Sequence, residues 1–298
     1  MTRFVRSLLL FTGVALASFL AASGQSPCGS LTSRDPSWSP DGRHIVFVSS
    51  GGKESGVFVT DPEGRNVRRI VDTPREEYYP IFAPDSARIA FIGHTSIDDV
   101  IYVVDANGQN LRQLTPDGAV NADPDWSPDG KRLVFYSDRD GNWEIYVMDA
   151  NGKNAERLTH TPEPETTPVW SPDGRRIAFI ATQKGNADLY VMNRDGTGRR
   201  RITSNPEQDR VARWSPDGRR LVYYSRGDAW EGAEIYVIDI DGKNRRRLTH
   251  NTVRDQSPSF APDGRRIAFA SCLTGNMEIH VMNADGRGLR RLTHTPSP

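Results

Sequence analysis

Four carboxylates and a carboxamide recur at one fixed place in this chain. Glu77, Asn121, Glu165, Asp209 and Asp255 each stand five residues before an aromatic residue, and Ser33 takes the same place before Trp38. Gathered into a ring, such side chains would line a channel mouth, focus negative potential there and hold a cation or a basic peptide. Converging, the acids Glu77, Glu165, Asp209 and Asp255 would instead be the reactive groups of a lyase or hydrolase acting on saccharide or peptide. Each equally suits a capping role, accepting backbone N–H bonds at the turn into its strand. Asp35, Asp123 and Asp125 add acid nearby while Arg34, Arg210 and Arg213 offset it. That is a mixed lining rather than a metal cage.

Other chemistry-bearing residues form no set. His160, His250 and His294 each follow a Leu-Thr pair, but zinc needs its nitrogens at about 2.0–2.1 Å, and residues a whole repeat apart do not meet. His44, His94 and His280 have no ligand spacing either. No metal or cofactor is expected. The sequence contains no serine-nucleophile elbow, phosphate loop or zinc-protease motif. Asp138-Arg139-Asp140-Gly141-Asn142 has the look of a calcium loop but lacks the later bidentate glutamate. Lys plus Arg and Asp plus Glu balance at 38 each, so no basic excess points to nucleic acid.

The elements that must position these residues repeat with them. The aromatics fall at Trp38, Phe82, Trp126, Trp170, Trp214 and Phe260, spaced 44, 44, 44, 44 and 46 residues apart. Trp-Ser-Pro-Asp-Gly accompanies four of them, with Phe82-Ala83-Pro84-Asp85-Ser86 and Phe260-Ala261-Pro262-Asp263-Gly264 as variants. In the clearest copy, Pro124-Asp125-Trp126 is a short strand and Ser127-Pro128-Asp129-Gly130 a turn. Arg132 to Ser137 is a mostly apolar strand suited to burial on both faces. A polar loop leads to a third strand, Glu144 to Asp149. Asn151-Gly152 then signals a hairpin to a short fourth strand, Glu156 to Thr159. A period in the forties marks units that must stack on their neighbours. Six four-stranded antiparallel units shelter one another best in a closed ring, an all-β six-bladed β-propeller over residues 33–298, with the Trp or Phe wedged between blades.

The meander sends the loops between second and third strands, and the links between units, to one face. These loops are longer and more variable, which makes that face the binding face. Tyr78, Tyr79, Trp143 and Trp230 lie near it as interface candidates. Cys28 and Cys272 enter neighbouring blades from the same face. A bond between them would staple the ring, with a contribution of roughly 3–5 kcal/mol in the chain-entropy account; two free thiols are the alternative. Leu31-Thr32 mimics the Leu-Thr that ends other fourth strands, so the N-terminal segment 25–32 is expected beside Arg290 to Thr293 or in competition with it.

Residues 1–24 read as a secretory signal peptide: Arg3 and Arg6, an uncharged apolar run from Leu8 to Ala22, then Ser23 and Gly24 for cleavage. The run is short of the roughly 20 residues that span a bilayer. A periplasmic or secreted location follows, with no stable membrane insertion after cleavage.

The Pro-x-Trp-Ser-Pro-Asp-Gly turn, the Ile-Tyr-Val-Met-Asp strand, the Asp-Gly turn and the Arg-Leu-Thr ending resemble the WD40-like propeller repeat of the TolB family, over about residues 33 to 295. The resemblance implies a six-bladed propeller that works in the bacterial envelope by binding proteins. The short segment before the first unit leaves no place for that family's N-terminal α/β domain. The expected function is therefore a non-enzymatic, monomeric scaffold for a protein or peptide of the cell envelope. A lyase or hydrolase at the acidic channel mouth is the alternative.

Overall fold

The computed structural model describes residues 28–51, 55–227 and 232–294. The expected leader and Trp230 lie outside them. All regular elements among the described residues are strands, in six four-stranded antiparallel sheets, each taking its strands in chain order. The first blade runs through Thr32–Trp38, Ile45–Ser50, Gly56–Thr60 and Arg68–Val71. The clearest copy, blade 3, runs from Asn121–Trp126 to Glu156–Arg157. The fourth strands of blades 2 to 6 are only two residues long, which leaves little unpaired edge.

Each blade is buried on both faces because its side chains alternate between two neighbours. In the second strand of blade 3, Leu133 and Phe135 pack with Trp126, Ala90 and Ile101 toward blade 2. Val134 and Tyr136 pack with Trp170, Ile177 and Phe179 toward blade 4. Six such apolar clusters fill the six junctions. The wedge aromatics sit in them at 4–8% exposure, and an arginine from the preceding blade lies over the ring of most: Arg88 over Trp126 at 4.7 Å, Arg176 over Trp214 at 5.0 Å, Arg266 over Trp38 at 4.8 Å. Such stacking adds about 0.5–2 kcal/mol to the burial itself.

The turn after each wedge is a small hydrogen-bonded knot. Ser127 Oγ donates to Asp129 Oδ1 at 2.6 Å, Lys131 N donates to the same oxygen at 3.1 Å, and Arg132 N donates to Ser127 Oγ at 2.9 Å. Gly130 closes the turn at φ 66°, a conformation glycine adopts without steric cost.

The ring closes by packing, not by strand exchange. Trp38 of blade 1 shares a cluster with Ala268, Ile279 and Val281 of blade 6. Arg290 donates to Pro62 O at 2.8 Å and to Glu63 O at 3.2 Å. Cys28 and Cys272 form a disulfide with Cα atoms 5.5 Å apart. The N-terminal segment does not run beside Arg290 to Thr293. Ser33 N donates to Met277 O at 2.7 Å and Thr32 bridges Met277 in parallel, because Arg290–Arg291 already completes blade 6 against Val281 and His280.

Candidate functional site

The recurring acids five residues before each wedge are buried where the first strand begins. Glu77 is 3% exposed and Glu165, Asp209 and Asp255 are 0% exposed. Across the sheet each faces a residue with little or no side chain: Gly93, Ala181, Ser225 and Ser271. Each acid caps the loop leading into its own strand. Glu77 accepts from Thr73 N and Oγ1 at 2.7 Å each, Glu165 from Thr161 Oγ1 at 3.1 Å, Asp209 from Asn205 Nδ2 at 3.2 Å and Asp255 from Asn251 Nδ2 at 2.8 Å. Asn121 donates to Ala119 O at 3.1 Å and accepts from Ser137 Oγ at 3.0 Å. Each of these side chains is thus engaged by the loop that enters its own strand.

Burial raises all four carboxyl pKa values, Asp209 and Asp255 to about 6. Asp72 adds to this beside Glu77, and an acid of the preceding blade does so at two junctions, Glu144 beside Glu165 and Glu234 beside Asp255. Those two acids of the preceding blades open the third strand, where Glu144 accepts from Arg157 Nη2 at 2.7 Å and from Thr159 Oγ1 at 2.5 Å. Asp188, Glu234 and Glu278 repeat the arrangement with Arg201, Arg247 and Arg291. The signal in the sequence was the acid before Ile-Tyr-Val paired with the Arg-Leu-Thr ending.

The channel is lined two residues further along. Asp35, Tyr79, Asp123, Thr167, Val211 and Ser257 all take positive φ, between 43° and 53°. Each lies at the register shift between first and second strands, so the innermost strand of every blade carries a bulge that aims this residue inward. Proline follows in five of the six, at Pro36, Pro80, Pro124, Pro168 and Pro258. Proline inside a sheet is confined to edges and bulges, and that was the signal available.

Tyr79 reaches across this lining, packing against the cluster holding Tyr136 of blade 3 and against the one holding Tyr224 of blade 5. The cavity beside it, lined by Asp35, Val211, Arg213 and Ser257, measures about 10 Å³, room for roughly one water. Asp35 accepts from Ser257 Oγ at 2.7 Å, and burial pushes its pKa up. Asp125 accepts from Trp170 N at 2.7 Å and is raised by burial to about 6. Asp123 is raised by burial to about 7, with Arg213 opposing and Asp35 adding to the shift. Its Oδ1 is buried and has no hydrogen-bond partner. Thr167 Oγ1 is likewise buried and unpartnered.

Of the aromatic candidates, Tyr78 donates to Glu76 at 2.6 Å beneath the Arg34 guanidinium, 4.3 Å from its ring centroid. Trp143 packs on Tyr136 at 6.0 Å. Both are half-buried. His160, His250 and His294 are exposed on blades 3, 5 and 6. No group of three or more His, Cys, Asp or Glu that would hold a metal occurs among the described residues, nor is any helix there long and apolar enough to cross a membrane.

These features define a six-bladed β-propeller. Residues 29–169 match the TolB beta propeller domain, and residues 142–234 match the Tricorn protease N-terminal beta propeller domain. The fold resembles a putative TolB from Agrobacterium tumefaciens at 24% identity and TM-score 0.68, covering 85% of this chain and 90% of that one. It also resembles TolB from Acinetobacter baumannii at 21% identity and TM-score 0.69, covering 89% of this chain and 63% of that one. The tricorn protease gives 18% identity and TM-score 0.71, over 91% of this chain and 27% of the protease. A search of curated proteins returns no match. The chain is a TolB-like six-bladed β-propeller.

Proposed function

We propose that this propeller is an exported, non-enzymatic scaffold of the cell envelope that binds a protein or peptide partner on its loop-rich face, over the channel. The observation that carries the proposal is Asp123 Oδ1, a buried carboxylate oxygen without a donor in a channel that Tyr79 plugs. Buried polar atoms are nearly always partnered, and a basic or amide group from an entering peptide supplies the missing hydrogen bond. The apolar signal peptide at residues 1–24 supports export. Tyr78, Tyr79 and Trp143, with Trp230, are the proposed anchors; aromatic side chains often dominate interface energetics.

Crosslinking in the native envelope, with the adducts identified, tests the proposal. Wild-type protein should give a discrete adduct. A variant with alanine at Tyr78, Tyr79, Trp143 and Trp230 should lose it, and unchanged capture would remove those anchors from the reading. The lysis or hydrolysis alternative finds less support, since Glu77, Glu165, Asp209 and Asp255 occupy four separate junctions, each engaged in capping.

A further inference from the structure

Blade 1 breaks the repeat at the junction with blade 2. Where blades 3 to 6 open the third strand with Glu144, Asp188, Glu234 and Glu278, blade 1 has Gly56. Where the others have a threonine two residues past the fourth strand, the matching residue of blade 1 is Val71. Arg69, freed from that cluster, turns outward to Asp72 at 2.9 Å. Near this junction lies a cavity of about 400 Å³ lined by residues of both blades. That volume lies in the range of small-molecule sites, roughly 300–1,000 Å³.

Its lining differs from the mostly apolar walls of such sites. Hydroxyls dominate: Thr32, Ser49, Ser50 and Thr73 all face it, and Thr32 Oγ1 and Ser50 Oγ lie 2.7 Å apart. Every charge in the wall already has a partner. Arg75 pairs with Asp98 at 2.8 Å and with Asp117 at 2.9 Å. Glu76 accepts from Tyr78 Oη at 2.6 Å and Glu77 from Thr73. The exception is a single donor: Arg34 Nε is buried without a hydrogen-bond partner, its nearest carboxylate oxygen, on Asp35, being 3.9 Å away.

We propose that this inter-blade cavity is a binding site for a neutral saccharide. A wall rich in hydroxyls, each both donor and acceptor, with its carboxylates already hydrogen-bonded, recognises a ligand that offers many hydroxyls. Arg34 Nε takes a ring or hydroxyl oxygen, and Tyr78 contributes an aromatic wall. The site is separate from the channel and does not depend on the protein-partner reading.

The test is isothermal titration and saturation-transfer NMR on the full mature chain, with maltose, cellobiose and N,N′-diacetylchitobiose as probes. Galacturonate, glucosamine and arginine amide serve as charged controls. Saturable binding of at least one neutral disaccharide is expected, weakened at least tenfold by Arg34→Met and abolished by Ser50→Trp, which fills the cavity. Glu76→Gln, at an exposed position, provides a second variant with no burial to lose and should weaken binding by a smaller factor. Thr161→Val, in the junction of blades 3 and 4, should leave it unchanged. The proposal is overturned if no neutral disaccharide binds, if arginine amide alone binds, or if binding survives both Ser50→Trp and Arg34→Met. Capture of an envelope partner by the Tyr79 face is read separately, so either idea can fail alone.

Discussion

Asp123 holds its proton more tightly in the fold than in the unfolded chain, and so do Asp125, Asp209 and Asp255, all because burial disfavours the charged form. Their stabilising contribution is complete below the unfolded carboxyl value and is lost as pH rises through about 6 to 7. The turn aspartates Asp41, Asp129, Asp173 and Asp217 act oppositely. Serine hydroxyl donors depress them, so their contribution is lost as pH falls through their lowered values. Stability should therefore peak in mild acid, and thermal melts should show a lower midpoint at pH 8 than at pH 5. Asp123→Asn should flatten part of that fall by removing the group that must ionise in the channel. A midpoint that climbs steadily from pH 5 to pH 8 would contradict this account.

At the scale of the strand, the bulge is the informative element. Left-handed backbone costs an L-residue about 1–2 kcal/mol, and β-branched Thr167 and Val211 adopt it at φ 50° and 43°. Thr167→Asn should raise stability by about 1 kcal/mol in urea denaturation, since asparagine tolerates that region. Trp126→Ala should cost about 3–5 kcal/mol in the same measurement, through the cavity it leaves between blades 2 and 3. The strands themselves were legible in the sequence, because Ile145-Tyr146-Val147-Met148 and its copies announce both their type and their period. The channel lining was not. The recurrence five residues before each wedge points to Asn121, but the bulge at Asp123 aims the residue two further along inward. Only Pro124 and its equivalents recorded that shift. The cavity between blades 1 and 2 was equally hidden, since no residue type announces a space between two sheets.

The whole molecule is held at one joint by contacts of several kinds: a shared apolar cluster, the Arg290 bonds to the turn of blade 1, and the Cys28–Cys272 disulfide across 244 residues of sequence. Replacing both cysteines with serine should lower stability by about 3–5 kcal/mol on the chain-entropy account, read as a drop in the denaturation midpoint. The fold should survive, because the apolar cluster and the arginine bonds remain.

Every sheet is complete within one continuous stretch of chain, so no blade borrows a strand from the far end. The order in which the six are written is then an accident of where translation begins. A circular permutant of residues 28–294, with the old ends linked and new ones opened in the loop between blades 3 and 4, should fold to the same disc.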